Sequence, residues 1–465
     1  MNLPDYKEAL KHYDESLIRE TYEVVQNKVF LGKKYYIRTY GCQMNVRDSE
    51  TIMALVENLG FVYEDELSFS DLVIINTCSI RENAHNKTYG FINSLKRLKK
   101  EKPDLTIVLA GCMSGEEGVV KEILNKYKWI DIVIGPHNIG DLPKLLIDNK
   151  NNKDQKIKVY SRFKSLSEGM PVKRLNKYKA YVNIIYGCNK SCTYCIVPFT
   201  RGREVSRKME DILKEVKELK KDGYQEIVLL GQNVNAYGKD IGLSLAGLIR
   251  EIDKIGIPRL SFMTSHPWDF TDELIDVMAS SKSIIPYLHL PVQSGSNTIL
   301  RKMGRRYTKE KFLELINKIK DKIPGITITT DIIVGFPGET EEDFKETLDL
   351  VKKASFAGAY TFIYSPRENT YAAKLTNQVD LNISKERLKT LNKLINSYSL
   401  KDNKNYVGKE DEALVIGESK KEGKLEAYTS HNKLINLEGD KDNIGKIVKI
   451  KIEKAKTWSL DGKII

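Results

Sequence analysis

Three cysteines lie close together near the middle of the chain, at Cys188, Cys192 and Cys195. Thiolates at this C-x3-C-x2-C spacing suit an iron–sulfur cluster, because cysteine sulfur is the usual ligand of its irons. A four-iron cluster needs four ligands, and no fourth cysteine stands nearby in the sequence. The spacing therefore predicts a cluster in which one iron is left open for an exchangeable molecule.

Two other uses of these thiols compete with the cluster. A structural zinc ion needs four ligands, often as two pairs, but neither a second CxxC nor an H-x3-H follows Cys195. Disulfides are disfavoured because the chain begins at Met1 without the apolar stretch of a secretory signal, which predicts a cytoplasmic location and reduced thiols. Zinc or inert thiols remain the alternative to the favoured iron–sulfur site.

The other three cysteines each follow a predicted strand. Cys42 comes after a strand at 35–39, and Cys78 and Cys112 come after the next two. The carboxyl ends of parallel strands share one edge of a sheet, where ligands bind, so these thiols are expected to converge. Buried, inert cysteines are the alternative. The placement at three successive strand ends favours a second three-cysteine cluster.

The composition indicates a globular protein of several domains. A chain of 465 residues, 41% hydrophobic and 30% charged, is too long for one core and is expected to form about three domains. No apolar run approaches the ~18 residues of a membrane span, which predicts no membrane partner. A net charge of +12 and a pI near 9.0 favour an anionic partner such as nucleic acid.

The pattern divides the first 179 residues into three segments. Residues 1–32 carry a weak helical periodicity and are predicted to form a helical arm. Strands alternate with helices over 33–149, which predicts an α/β, doubly wound parallel-sheet domain. Residues 150–179 hold ten basic residues against two acidic ones. This basic linker is either a solvated connector or a ribbon beside an RNA path.

The remainder predicts two further domains. Residues 180–404 repeat six strand–helix units, which indicates a partial (βα)6 barrel with its active site at the carboxyl ends of the strands. Polar or glycine-rich loops occupy those ends, at 231–235, 264–267, 291–296 and 335–339. Residues 407–465 form short β-type runs and predict a small five-stranded, all-β barrel.

Four motifs connect the chain to a known family. They are YGCQMN at 40–45, NTCSIRENA at 76–84, the stretch 187–203 that contains GCNKSCTYC, and LHLPVQSGS at 288–296. On these motifs the chain resembles the radical S-adenosylmethionine (SAM) methylthiotransferases, most of all their MiaB type, from Lys33 onwards. The resemblance implies an N-terminal domain with an auxiliary cluster on Cys42, Cys78 and Cys112, a central radical SAM barrel, and a C-terminal TRAM barrel that binds RNA.

The resemblance implies SAM and two 4Fe-4S clusters as cofactors. SAM would chelate the open iron of the cluster on Cys188, Cys192 and Cys195, and no catalytic side chain is implied beyond the cluster ligands. The residues expected beside the cofactors are an aromatic residue in the cysteine loop and polar residues at strand ends: Tyr194, Gly231, Gln232, Asn233 and Gln293. The stretch 335–339 fits the family's adenine-side segment loosely, with its acid, Glu339, one position late.

The activity implied is methylthiolation of carbon 2 of N6-isopentenyladenosine beside the tRNA anticodon. That carbon bears an unactivated hydrogen, which a primary carbon radical can abstract. The implied partners are the tRNA anticodon stem-loop and a low-potential electron donor such as flavodoxin or ferredoxin, with the chain acting as a monomer. Since only the last part of the C-terminal segment is basic, Lys446, Lys449 and Lys451 are the predicted RNA contacts.

Two other functions are consistent with parts of this pattern. The same chemistry could act on threonylcarbamoyladenosine in tRNA or on an aspartate of a ribosomal protein, although the GCQMN stretch at 41–45 resembles the isopentenyladenosine group. A protein of another class, a non-catalytic iron–sulfur RNA-binding protein, would be expected to lose the open-iron arrangement. Both cysteine triads are present, which favours the enzyme.

Overall fold

The computed structural model describes residues 2–13, 17–79, 82–152 and 154–465. Ile80 and Arg81 of the second motif, and Lys153 of the basic linker, lie outside the described residues. No helix in the described ranges is long and apolar enough to cross a membrane.

The N-terminal domain is a six-stranded sheet whose paired strands are all parallel, in the order β3-β2-β4-β5-β6-β7. The elements up to residue 168 are α1 (Tyr6–Ala9), β1 (Ile18–Thr21), β2 (Lys34–Thr39), α2 (Gln43–Asn58), β3 (Val62–Tyr63), β4 (Leu72–Thr77), α3 (Glu82–Glu101), β5 (Thr106–Gly111), α4 (Glu117–Lys126), β6 (Ile132–Ile134), α5 (Leu142–Asn151), β7 (Lys156–Lys158) and β8 (Ser165–Glu168). Alternate residues of β5 enter opposite cores: Val108 packs with α2 and α5, whereas Ile107 packs with α3 and α4. Helices therefore cover both faces, which confirms the doubly wound sheet.

The segments on either side of this sheet differ from the sequence prediction. Within its described residues, 2–13 and 17–32, the N-terminal arm is helical only at α1, and β1 pairs in parallel with β8. A weak helical periodicity gives little stability to a short helix, whereas pairing with a second strand satisfies the backbone. The linker also contributes structure, because β7 forms the edge strand of the N-terminal sheet beyond residue 149.

The central domain is a partial (βα)6 barrel, as predicted. Its elements are β9 (Lys179–Asn183), β10 (Ile185–Tyr186), α6 (Val197–Thr200), β11 (Val205–Ser206), α7 (Met209–Lys221), β12 (Glu226–Leu230), α8 (Leu245–Ile255), β13 (Arg259–Phe262), α9 (Asp272–Ser280), β14 (Tyr287–His289), α10 (Asn297–Lys302), α11 (Lys309–Lys322), β15 (Thr327–Val334), α12 (Glu341–Ala354), β16 (Gly358–Ile363) and α13 (Leu381–Lys404). Strands β13-β12-β9 and β14-β15-β16 form two parallel sheets, which a single bridge between Leu260 and Ile284 joins. All six strands therefore point their carboxyl ends the same way.

The C-terminal domain is a closed five-stranded barrel, which confirms the all-β prediction. Its strands are β17 (Glu410–Glu418), β18 (Leu425–Thr429), β19 (Leu434–Glu438), β20 (Ile447–Ala455) and β21 (Leu460–Ile464), closed in the order β17-β18-β19-β21-β20. The Arg259 guanidinium, at the first residue of β13, donates to the Thr429 carbonyl oxygen at 2.9 Å. The small barrel therefore contacts the amino ends of the central strands, away from their carboxyl-end loops.

Candidate functional site

Cys188, Cys192 and Cys195, which we call the radical triad, lie in the loop between β10 and α6. The backbone fixes the start of this loop. Gly187 has φ of 73°, and a Cβ there would stand 2.0 Å from the Arg203 carbonyl oxygen, so the chain passes too closely for a side chain. The Cys188 amide donates to the Gly202 carbonyl oxygen at 3.0 Å. The loop is thus held before any ligand binds.

The strand-end residues 231–233 support this loop. The Gln232 side-chain oxygen accepts the Gly187 amide at 2.6 Å, and a Cβ at Gly231 would lie 2.4 Å from Ile185. Asn233 is buried and donates to Glu204 at 3.0 Å and to Asp269 at 2.8 Å. These contacts give the three residues a supporting role, and their contact with a cofactor stays a prediction.

The other predicted cofactor residues surround the same end of the barrel. The Tyr194 ring meets Phe336 edge-on, with centroids 6.4 Å apart. Gln293 has φ of 75° and exchanges backbone hydrogen bonds with β15, through its amide to Asp331 and its carbonyl from Ile333. Glu339 instead accepts from the Gly335 amide at 3.1 Å and from Arg387 at 2.8 Å, so its carboxylate stabilises the turn.

The surroundings of the radical triad oppose free thiolates. Burial raises the pKa of Cys195 to about 12 and the pKa of Cys188 well above its ordinary value. One buried cation faces the group: Nη1 of Arg305 lies 3.5 Å from the Cys192 sulfur. Arg305 is held there by the Pro291 carbonyl oxygen at 2.8 Å and the Tyr307 hydroxyl at 2.9 Å. The three thiols are therefore partly buried, with positive charge at one sulfur.

Cys42, Cys78 and Cys112, which we call the auxiliary triad, meet at the carboxyl ends of β2, β4 and β5. These are neighbouring strands, so separations of 36 and 34 residues in sequence become contacts in space. A hydrogen bond with Cys78 lowers the pKa of Cys42 to about 6, despite burial. A Cβ at Gly41 would stand 2.6 Å from Cys78, which explains glycine at that position.

The residues of both triads fit an anionic iron–sulfur cluster. Each triad offers three thiols and one buried guanidinium at a sulfur, and positive charge stabilises thiolates. No three Cys, His, Asp or Glu side chains in the described chain surround the position of a single metal ion. A cubane cluster does not require three side chains around one metal position, because each thiolate binds a different iron.

The auxiliary triad lies at the junction of the N-terminal and central domains. Arg201, just past α6, donates from Nε to the Cys112 sulfur at 3.0 Å and from Nη2 to Asp48 at 2.5 Å. Beside this contact, Met44 of α2 packs against Val228 and Leu230 of β12, with Cys42 at the edge of the same apolar cluster. The auxiliary triad therefore lies against the barrel that carries the radical triad.

Sequence reasoning did not identify Arg201 or Arg305. Arg201 stands within the motif 187–203, six residues after Cys195, but nothing in the spacing indicates a partner in another domain. Arg305 has no motif around it and reaches Cys192 only because the chain returns from α10 to the cysteine loop. Both are 6% exposed or less, and a buried arginine is a useful signal only once burial is known.

The predicted RNA contacts lie apart from the triads. Lys446, Lys449 and Lys451 are exposed on the C-terminal barrel. In the sheet register Lys449 is opposite Glu412, and Lys451 is opposite Glu410. This part of β20 therefore carries a partly neutralised charge.

Three family models match the chain: the radical SAM superfamily at residues 182–351, the uncharacterized protein family UPF0004 at 34–135 and the TRAM domain at 404–465. A tRNA-2-methylthio-N(6)-dimethylallyladenosine synthase of Bacillus subtilis (strain 168) is 49% identical over 99% of this chain and 90% of its own length. The Staphylococcus aureus (strain Newman) protein of that name is 48% identical over 99% and 91%.

Among solved structures, the radical S-adenosylmethionine methyltransferase TsrM from Kitasatospora setae, with cobalamin and a 4Fe-4S cluster bound, superposes with a TM-score of 0.52. It is 16% identical over 74% of this chain and 77% of its own, which establishes a shared fold alone. The full-length identity to the curated relatives carries more weight. On that evidence the chain belongs to the radical SAM family of tRNA-2-methylthio-N(6)-dimethylallyladenosine synthases.

Proposed function

We propose that this chain methylthiolates carbon 2 of N6-isopentenyladenosine next to the anticodon of tRNA, using SAM. The activity named for its full-length relatives supports the reaction. The observation that carries the proposal is the contact between Arg201 of the central domain and Cys112 of the N-terminal domain, which places the auxiliary triad against the barrel that carries the radical triad. A reaction that needs both a radical and a sulfur donor requires two such sites close together.

The chemistry at carbon 2 explains the division between two sites. Its hydrogen is not acidic, so neither a general base nor a polarised carbonyl would help to remove it. When bound, a 4Fe-4S cluster with SAM on the radical triad supplies a carbon radical, and a second cluster on the auxiliary triad supplies sulfur.

The chain's own residues orient these groups and exclude water from them. Gln232 fixes the start of the radical loop, and Arg305 and Arg201 place a positive charge beside each triad. Partial burial of the radical triad and of Cys42, with full burial of Cys78 and Cys112, limits the access of solvent to both sites.

The junction of the two domains suits an apolar substituent on the base. Met44, Val228 and Leu230 form a buried apolar cluster there, with Tyr181 and Met263 partly exposed at its border. An isopentenyl group would gain free energy by leaving water against the exposed parts of Tyr181 and Met263, whereas a carboxylate would lose its hydration without gaining a partner. The base must first leave its stack, which is easier in an anticodon loop than in a duplex.

The proposed partners are the tRNA anticodon stem-loop and a low-potential electron donor such as flavodoxin or ferredoxin. The six cysteines of the two triads belong to one chain, so we propose that a monomer holds every cluster ligand.

The test is mass spectrometry of tRNA nucleosides from a strain in which the gene for this chain is deleted. We expect the methylthio nucleoside to be lost, isopentenyladenosine to accumulate, and the wild-type chain to restore the product. Cys192→Ala and Cys78→Ala are both expected to fail in this complementation. An unchanged nucleoside profile in the deletion strain would refute the proposed function.

Purified variants then separate the two triads. Cys192→Ala should abolish 5′-deoxyadenosine formation from SAM, because the radical triad would be incomplete. Cys78→Ala should retain some uncoupled 5′-deoxyadenosine formation but give no methylthiolated product. Equal loss of 5′-deoxyadenosine in both folded variants would contradict this division of labour.

A further inference from the structure

Arg201 is a charged side chain of the central domain that contacts the auxiliary triad. Arg201 is 3% exposed, and its guanidinium donates hydrogen bonds to two groups of the N-terminal domain. Nε lies 3.0 Å from the Cys112 sulfur, and Nη2 lies 2.5 Å from an Asp48 carboxylate oxygen. Asp48 stands on α2, the helix that Cys42 caps, so both contacts belong to the auxiliary site.

Interface packing alone does not explain this geometry. A buried arginine needs a carboxylate, and Asp48 provides one. The Nε–H nevertheless points at a cysteine sulfur, which is a weak acceptor when it is a neutral thiol. The hydrogen bond is strong only when that sulfur carries negative charge, as a thiolate or a cluster ligand does.

We propose that Arg201 raises the reduction potential of the auxiliary cluster by its hydrogen bond to Cys112 and its positive charge, and that Asp48 limits this effect. The inference rests on the proposed cluster at the auxiliary triad. Reduction adds negative charge to a cluster, so a nearby cation and an N–H···S bond favour the reduced state. The central domain would thereby set the electron affinity of the site in the other domain.

The chain offers a matched control in Arg305. That guanidinium is also buried and contacts a cysteine sulfur, but it belongs to the radical triad, with Nη1 at 3.5 Å from Cys192. If Arg201 acts through its local contact, removing Arg305 should leave the auxiliary potential unchanged.

The experiment is a potentiometric titration, followed by electron paramagnetic resonance, of the anaerobically reconstituted full-length chain. Replacing Cys188, Cys192 and Cys195 by Ala leaves the auxiliary triad as the one proposed cluster site, and each test variant is made in that background. Arg201→Gln should lower the auxiliary potential by at least a tenfold change in the reduction equilibrium, about 59 mV for one electron. Asp48→Asn should shift the potential in the opposite direction, and Arg305→Gln should not shift it.

The opposite potential shifts expected for Arg201→Gln and Asp48→Asn distinguish tuning of the cluster's potential from a purely structural role. A potential that stays unchanged in both Arg201→Gln and Asp48→Asn, or that moves the same way in both, overturns the inference. If Arg201→Gln fails to hold iron, the direction of the potential shift in Asp48→Asn decides: a higher potential supports the inference, and an unchanged or lower one overturns it. Loss of iron from both folded variants also overturns the inference. Absence of iron from the parent triple variant would instead contradict the proposed auxiliary cluster itself.

Discussion

At the scale of single residues, Glu215 shows how charge holds the domains together. Its carboxylate on α7 accepts from Arg207 at 2.7 Å and from Arg174 of the linker at 2.6 Å, with Arg47 of α2 at 3.6 Å. Burial opposes its ionisation, but the three arginines prevail and lower its pKa from 4.5 to about 2. This one carboxylate thus links the N-terminal domain, the linker and the barrel.

Replacing Glu215 by Gln is expected to destabilise the protein at neutral pH and to matter less in acid. The change from an unfolded pKa of 4.5 to a folded pKa of about 2 corresponds to roughly 3 kcal/mol of stability. Because the folded pKa is the lower one, this contribution is complete above pH ~5 and is lost as the pH falls towards 2. Urea unfolding midpoints of wild type and Glu215→Gln, compared at pH 7 and pH 3, measure it.

The control for this prediction is Glu218→Gln, on the exposed side of the same helix. It should change stability by less than about 0.5 kcal/mol at either pH. If the urea midpoints of wild type and Glu215→Gln differ as much at pH 3 as at pH 7, the stabilisation does not come from the Glu215 charge.

Residues that belong to a sequence pattern could be singled out from the sequence, whereas isolated residues outside any pattern could not. The six cysteines could be found because their spacing, or their place after successive strands, is written in the sequence. Arg201 and Arg305 could not, since each meets its sulfur through a contact between distant segments. Gln232 was expected beside a cofactor, and its observed partner is the Gly187 amide.

At the scale of elements, strand β20 carries the predicted RNA contacts. Lys449 and Lys451 alternate with the buried Ile450 and Ile452, so the lysines share the outer face of the small barrel. The neighbouring strand β17 places acidic residues opposite them. An RNA phosphate on this face would have to compete with those carboxylates, whereas Lys446 precedes β20 and lies outside that cross-strand pairing.

Replacing Lys446, Lys449 and Lys451 by Ala should weaken tRNA binding and reduce its salt dependence, by roughly one unit of slope per lost phosphate contact. Binding measured by fluorescence anisotropy over a series of salt concentrations gives that slope. The matched control replaces Lys214, Lys217 and Lys221, exposed on α7 of the central domain, which removes the same charge elsewhere. An equal loss in both triple variants would indicate general attraction and no contact at β20.

The predicted elements formed where short apolar runs recur in the sequence and differed from the prediction where they do not. The six strands predicted within 180–404 all form in the central barrel, because their inner and outer faces are buried against different layers. The arm at 1–32 lacks such a pattern. In that arm, residues 18–21 form strand β1 because they pair with the distant strand β8, and the local helical propensity is overridden.

At the scale of the whole molecule, the order of the three domains was readable in the sequence, but their contacts were not. The small barrel lies against the amino ends of the central strands through Arg259 and Thr429, and no motif marks either residue. The N-terminal domain lies against the central domain through Arg201, Glu215 and the apolar cluster around Met44. These junctions arise from side chains that become neighbours only after folding.

We expect the enzyme to require an isopentenyl group already on the base. Unmodified adenosine would forgo burial of a five-carbon chain, worth ~0.8 kcal/mol per carbon and roughly 2 to 4 kcal/mol if burial is partial. Such a difference corresponds to tens- to several hundredfold in selectivity. Threonylcarbamoyladenosine would bring an unpaired carboxylate to an apolar surface, at a cost of several kcal/mol.

The most direct measurement offers the reconstituted wild-type enzyme three anticodon stem-loops, carrying adenosine, isopentenyladenosine or threonylcarbamoyladenosine, and quantifies methylthiolated product by mass spectrometry. We predict efficient conversion of the isopentenyl stem-loop, conversion of the unmodified one lower by at least tenfold, and strong discrimination against the threonylcarbamoyl one. Preferred conversion of the threonylcarbamoyl stem-loop would contradict the account.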